Sequence, residues 1–261
     1  MIYAFGRWEV TNSLEINGER TLIRNALCGI RTPIVFDVGA NVGEWSRAVL
    51  AESEAATIYA FEPTPDARHE LADLPVQIVP LAVSDEVGEA IFVVRGRAAG
   101  TNSLYCRGAE GDHIRVATTT ITQFARERGI RHIDLLKIDV EGFDLSVLRG
   151  AEALLLTGAI AVAQFEYNAR WIETRTFLKD VFEIAKGKPY AVGKVVENGV
   201  IIYPHWHYEL DRYFEGNYVL VREDMLDKVS SKIATFDQTN TFDVIHDRIQ
   251  SNRVSEQWRS R

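Results

Sequence analysis

Four apolar runs rich in β-forming residues each close on an acid: Asp37 in "IVFDV", Glu62 after "ATIYAF", Asp139 after "LLKI" and Glu166 in "AVAQFEY". Between them lie stretches with apolar residues at helical spacing, among them "GEWSRAVLAES", "PDARHELADL" and "DLSVLRGAEALLL". Strand-length runs alternating with helices predict β-α-β units, and so a mostly parallel sheet with helices on both faces. Parallel strands finish on one edge, so the four acids share that edge. Open α/β sheets bind ligands beyond the carboxyl ends of their strands.

The remainder of the chain fills in around this pattern. "ERTLIRNALCGIR" reads as a helix that Pro33 ends before the first strand. "VQIVPLAVSD" reads as a third strand. "EAIFVV" and "HIRVATTTI" read as a hairpin with a long glycine-rich tip, inserted at about residues 90–118. Loops of that length are commonly functional, and residues 95–111 are expected to act as a lid. "TQFARERGI" and "RTFLKDVFEIAKG" are helical. "YAVGKVVENGVIIYP" gives two strands about an Asn-Gly turn, and "NYVLVRED" a last strand. Residues 223–261 read as a polar tail with weak helical periodicity, suited to packing on a second copy of the chain or staying mobile.

Bulk properties narrow the function. The net charge of -8 over 261 residues argues against a general nucleic-acid binder. The two cysteines, Cys28 and Cys106, fit neither a zinc pattern nor a disulfide framework, so a cytoplasmic setting is expected. "MIYAFGRWEV" lacks the pattern of a signal peptide, and no apolar run is long enough for an integral membrane segment.

The turn after the first strand, "VGANVGEWS", carries Gly39, Asn41 and Gly43 at the mouth of a helix, where backbone and helix amides can approach a ligand. Its spacing is G-x-x-x-G, not the three-glycine pyrophosphate fingerprint. Glu62, at the end of the second strand, is placed to accept from two ribose hydroxyls, which suits NAD and S-adenosylmethionine alike. In "LLKIDVEG", Lys137, Asp139 and Glu141 alternate and so face one side. Charged groups at such a strand end are costly unless they pair or bind something.

"FDVGANVGEWS", "AFEPTPD", "LAVSD", the hairpin with "GTNSL" and above all "LLKIDVEGFDLSVLRGAEALL" resemble the FkbM family of S-adenosylmethionine-dependent methyltransferases, over about residues 33–222. The resemblance implies the class I methyltransferase fold: a Rossmann-like, seven-stranded sheet, mostly parallel, with an antiparallel last strand. Residues 1–32 would then be an N-terminal segment and helix before the domain. The resemblance also implies O-methylation of a sugar, glycan or natural-product hydroxyl. By position, Asp37, Gly39, Asn41 and Gly43 would line the methionine and ribose side, Glu62 the ribose, Ala82 and Val83 the adenine, and Asp139 and Glu141 the methyl-transfer side. Relatives often carry an acid where this chain has Thr122, which is read here as a helix cap.

Methyl transfer to an alcohol needs an aligned acceptor and a base for its proton. The candidate catalytic residues are Asp139, Glu166, His205 and His207, the histidines standing in "PHWHYE". Tyr167, Trp171 and Tyr208 are candidate acceptor walls. Asp139, Glu166 and Asn168 could hold a divalent metal, although none is expected. Two rivals remain. A sugar or alcohol dehydrogenase using NAD explains the first turn and Glu62, but not "KIDVEG". A non-catalytic binding protein on the same fold does not explain the retained acids.

Overall fold

The computed structural model describes residues 13–14, 16–96, 100–104, 110–236 and 242–245. Along the chain, helix α1 (Glu19–Leu27) leads into strand β1 (Ile34–Val38), followed by α2 (Glu44–Glu52), β2 (Thr57–Phe61), α3 (Pro65–Leu71) and β3 (Gln77–Val79). Four further strands come next: β4 (Ala82–Val83), β5 (Gly88–Val94), β6 (Ser103–Leu104) and β7 (Asp112–Thr119). The chain continues through α4 (Ile121–Glu127), β8 (Ile133–Ile138), α5 (Asp144–Gly150), α6 (Glu152–Leu156), β9 (Ile160–Tyr167), α7 (Trp171–Thr174) and α8 (Leu178–Ala185). It closes with β10 (Tyr190–Val196), β11 (Gly199–Tyr203), β12 (Gly216–Arg222), β13 (Ser231–Phe236) and β14 (Phe242–Ile245).

The large sheet has the order β14-β13-β11-β10-β12-β9-β8-β1-β2-β3. Seven of its strands, from β3 at one edge to β10, are the expected sheet. β3, β2, β1, β8 and β9 are parallel, and β12 runs antiparallel between β9 and β10. Of these seven, β12 comes last in the chain yet lies between β9 and β10, the strand order of the class I methyltransferase fold. β1, β8 and β9 are buried almost throughout, as a sheet covered on both faces requires. One face packs against α4, α5 and α8. The other is covered by α1, whose Leu22, Ile23, Ala26 and Leu27 join Val35, Leu135 and Val162 in a shared core.

Two expectations are corrected. "VQIVPLAV" is not one strand. Pro80 has no backbone N–H to continue a ladder, and the chain turns there. β3 stays in the large sheet, while β4 pairs with β7 in a separate four-stranded sheet of order β4-β7-β5-β6, the expected hairpin insertion. The tail beyond residue 222 is also not free of structure. β13 adds parallel to β11, and β14 pairs antiparallel with β13, so both extend the sheet. Residues 246–261, Cys106 and the middle of the hairpin tip lie outside the described residues, and with them much of the expected lid and of the surface expected to meet a second copy. Among the described residues no helix is long and apolar enough to cross a membrane.

Candidate active site

The four acids do share one edge. Asp37 lies in β1, Glu62 directly follows β2, Asp139 directly follows β8, and Glu166 is the penultimate residue of β9. A cleft opens there between the ends of β1, β2, β4 and β8 and the inserted hairpin. Six residues expected at the cofactor line it: Gly39, Asn41, Glu62, Ala82, Val83 and Asp139.

Glu62 is buried and organises the floor. Its Oε2 accepts from the amide of Asn41 at 3.1 Å, and its Oε1 from the amide and hydroxyl of Thr64 at 2.8 and 2.7 Å. Burial pushes its carboxyl above the usual range, against the hydrogen bonds of Thr64 and Asn41. Gly39 has φ 81°, and a Cβ there would meet the carbonyl oxygen of Asp139 at 1.9 Å. Only glycine lets β1 turn this close to the end of β8.

Gly43 does not face the cleft. It is the left-handed N-cap of α2, φ 83°, and a Cβ on it would press on Leu71 and Leu74 at 2.6 and 2.7 Å. The G-x-x-x-G spacing thus combines two close-packing demands, one under β8 and one under α3. Thr122 is not the cap of α4 either. Thr120 is, accepting from the amide of Gln123 at 3.0 Å.

Behind the cleft lies a buried charge cluster. Lys137 pairs in register with Asp37 on β1 and Gln164 on β9. Its Nζ donates to Oδ2 of Asp139 at 3.0 Å and lies 4.0 Å from Oδ1 of Asp37. Burial alone would lower the Lys137 ammonium, but Asp139, Asp37 and Glu19 hold it above its ordinary range. Asp37 is wholly buried. Its Oδ2 accepts from Ser46 at 2.6 Å, and its Oδ1 has no hydrogen-bond partner. Glu19 reaches in from the start of α1 and accepts from Gln164. Burial pushes the carboxyls of both Asp37 and Glu19 upward.

At the outer side, Asp139, Glu141 and Glu166 converge, with one oxygen from each within 4.8 Å of the others. Glu141 sits in the left-handed region, φ 56°, and lies 3.6 Å from Arg170. Burial and the neighbouring Asp139 push its carboxyl up to about 7, against the pull of Arg170. Glu166 is pushed up as well, by burial first and then by Asp139, Asp144 and Glu141. Such a trio could hold a hard cation. Asn168 is not part of it. Its amide donates to Glu166, and its oxygen accepts from the backbone of Arg170 at 2.8 Å. The turn between Asp139 and Glu141 is pinned by Asp144, which accepts from the amides of Gly142 and Val140 at 3.1 and 3.4 Å.

The histidines do not join the acids. β11 runs antiparallel to β10, so its carboxyl end points away from the edge where β9 ends. The His207 ring stacks on Phe236 of β13, with centroids 4.4 Å apart. β13 is four strands removed from β9, roughly 20 Å at the usual strand spacing. Nδ1 of His207 accepts from the amide of Glu209 and caps a short 3-10 turn. Tyr208 packs on the same ring. Tyr167 and Trp171 are fully buried, the former donating to Asp211 and the latter to the carbonyl of Glu166. Tyr167 and Trp171 are therefore not open acceptor walls, and Tyr208, although exposed, packs on His207 apart from the acids.

Four hairpin residues that the sequence reading did not assign to the cofactor also line the cleft: Phe92 of β5, and Gly100, Asn102 and Leu104 of the expected lid. β6 has only two residues and carries no periodicity from which its facing could be read.

Residues 37–190 match the family described as the methyltransferase FkbM domain. The chain belongs to the FkbM methyltransferase family. It is 30% identical over 178 residues to the 31-O-demethyl-FK506 methyltransferase FkbM of Streptomyces tacrolimicus, covering 53% of this chain and 66% of that protein. It is 27% identical over 150 residues to the hexuronic acid methyltransferase AglP of Haloferax volcanii, covering 54% of this chain and 60% of that protein. The chain thus spans a little under two thirds of the length of these curated relatives. Among solved structures it is similar to the predicted O-methyltransferase Atu636 of Agrobacterium tumefaciens, at 13% identity and TM-score 0.40 over 78% of this chain and 80% of that one. Strand order, rather than that score, carries the assignment of the fold.

Proposed function

We propose that this FkbM-family chain is an S-adenosylmethionine-dependent O-methyltransferase acting on a hydroxyl of a sugar, glycan or natural product. One observation carries the reading: Glu62, Ala82, Val83 and Asp139 line a single cleft at the carboxyl edge of the sheet. Its mixture of apolar wall and few polar groups suits a nucleoside-containing cofactor. The two curated relatives named above, one acting on a natural product and one on a hexuronic acid, support a hydroxyl-bearing acceptor.

In this reading Glu62 holds the ribose, Ala82 and Val83 border the adenine, and the Asp37–Gly39–Asn41 turn borders the methionine end. The bound cofactor supplies an electrophilic methyl group. Asp139 takes the acceptor's proton. Lys137 engages its Oδ2, which orients the carboxylate and leaves Oδ1 for the acceptor. Arg170, beside Glu141, keeps part of the surrounding acid charge compensated. Calorimetry tests the reading directly. S-adenosylmethionine should bind and NAD should not, and an acceptor screen with labelled methyl donor then names the substrate. Binding of NAD alone would return the chain to the dehydrogenase reading.

The clustered oxygens of Asp139, Glu141 and Glu166 favour one variant of this scheme, in which a divalent cation there acidifies the hydroxyl. Loss of turnover on chelation, restored by magnesium, would select it.

A further inference from the structure

The inserted hairpin is rooted beside the cofactor cleft. β4, which carries Ala82 and Val83, pairs with β7, and β7 pairs along its length with β5. β5 pairs in turn with β6, so that Phe92 lies opposite Leu104. These two side chains are 7% exposed and pack with Ala82 and Val116 in a small core of their own. Both also line the cleft that holds Glu62. They are therefore braced from behind and present apolar surface to the space beyond the ribose-binding carboxylate.

The tip that follows is tied down over the same space. Asn102 Oδ1 accepts from the amide of Arg95 at 2.8 Å, and its Nδ2 donates to the carbonyl of Gly96 at 3.2 Å. Arg95 donates to Ser103 Oγ at 3.0 Å and to the carbonyl of Thr101. A Cβ on Gly100 would stand 3.9 Å from Nδ2 of Asn41, so the tip meets the turn after β1. The cleft is bordered on one side by the sheet edge and on the other by the hairpin.

We infer that Phe92 and Leu104 form the wall against which the purine ring of the cofactor packs, so that the hairpin belongs to the cofactor site rather than to acceptor selection. A purine has two flat apolar faces and a polar rim. It needs an apolar surface one ribose away from the carboxylate that holds the sugar hydroxyls, and an aromatic with an aliphatic side chain provides one. The inference rests on the proposed function and assigns residues to it that lie outside the strand-end motifs.

S-adenosylhomocysteine and adenosine serve as probes, read by calorimetry, so no acceptor is needed. Leu104→Trp, which fills the slot, should weaken both by about tenfold or more, and Leu104→Ala should weaken both by roughly threefold through lost apolar contact. Thermal melts establish which variants are folded, and Leu104→Ala serves if the tryptophan does not fit. A folded Leu104 variant that binds both probes like the wild type overturns the inference. So does a variant that keeps cofactor affinity but loses methyl transfer, which would give the wall to the acceptor. A wild-type chain that binds neither probe overturns the functional reading, and the inference falls with it.

Discussion

The backbone amide of Asn41 donates to Oε2 of Glu62 at 3.1 Å and so joins the turn after β1 to the end of β2. Glu62 therefore both shapes the cleft floor and offers the oxygens assigned to the ribose. Glu62→Ala should weaken S-adenosylmethionine binding by on the order of 2 kcal/mol, the range for charge-assisted hydrogen bonds. It should also lower the melting temperature, because the amides of Asn41 and Thr64 lose their acceptor. Glu62→Gln keeps an acceptor and should recover most of the stability without recovering the affinity. Calorimetry and thermal melts on both variants separate the two roles, and wild-type affinity in Glu62→Ala would remove Glu62 from the cofactor site.

Gly43→Val should act through packing. A branched side chain there meets Leu71 and Leu74 in a backbone region that β-branched residues avoid. The expected loss is about 2–4 kcal/mol of stability. At low temperature the folded fraction should bind cofactor within a few-fold of wild type. Full stability with lost binding would put Gly43 against the ligand after all.

Asp139→Asn keeps the shape of the side chain and removes its basicity. Turnover should fall by about 10²–10⁴-fold while the cofactor still binds. A His205→Ala/His207→Ala double variant should retain turnover, because the chain leaves β11 at the edge opposite the acids and His207 stacks on Phe236 of β13, four strands from β9. An inactive double variant beside an active Asp139→Asn would reverse the assignment.

Glu141 gives a pH-dependent contribution of defined sign. Its folded carboxyl is raised from 4.5 to about 7, so the folded chain holds the proton more tightly than the unfolded one. The associated stability is complete below the unfolded value and is lost as pH rises through about 7. Allowing for its partial exposure, the loss is of order 2 kcal/mol. Glu141→Gln should flatten this part of the stability curve. Chemical denaturation at pH 5 and pH 8 measures it, and an unchanged difference in the variant would place the titration elsewhere.

The parallel core was legible because each of its strands is an apolar run with its own terminal acid, and Asp37, Glu62, Asp139 and Glu166 mark one edge by chain order alone. The histidines misled because "PHWHYE" does not reveal which way β11 runs, a fact fixed by its pairing with β10. Asn168 was preferred over Glu141 because strand alternation says nothing of a left-handed turn, and that turn brings Glu141 to the other acids. β13 was hidden in a polar stretch. Its partner β11 lies just over thirty residues earlier (Val200 against Ser231), and its pattern reads as surface until that partner is known. Phe92 and Leu104 were apolar residues among many, and only the register across β5 and β6 sets them side by side.

The start of α1 has a consequence for how this chain can be divided. Glu19 reaches Gln164 and sits in the field of Lys137, while Leu22 and Ile23 cover the sheet beside Val35. A fragment trimmed to the family-matched segment would uncover part of one face of the sheet and remove a carboxylate that balances the lysine behind Asp139. The helix behaves as a keystone rather than a leader. A chimera built from this protein should carry its own residues from about Ser13 onward, and a foreign helix spliced before Pro33 would have to reproduce both the apolar stripe and the buried acid.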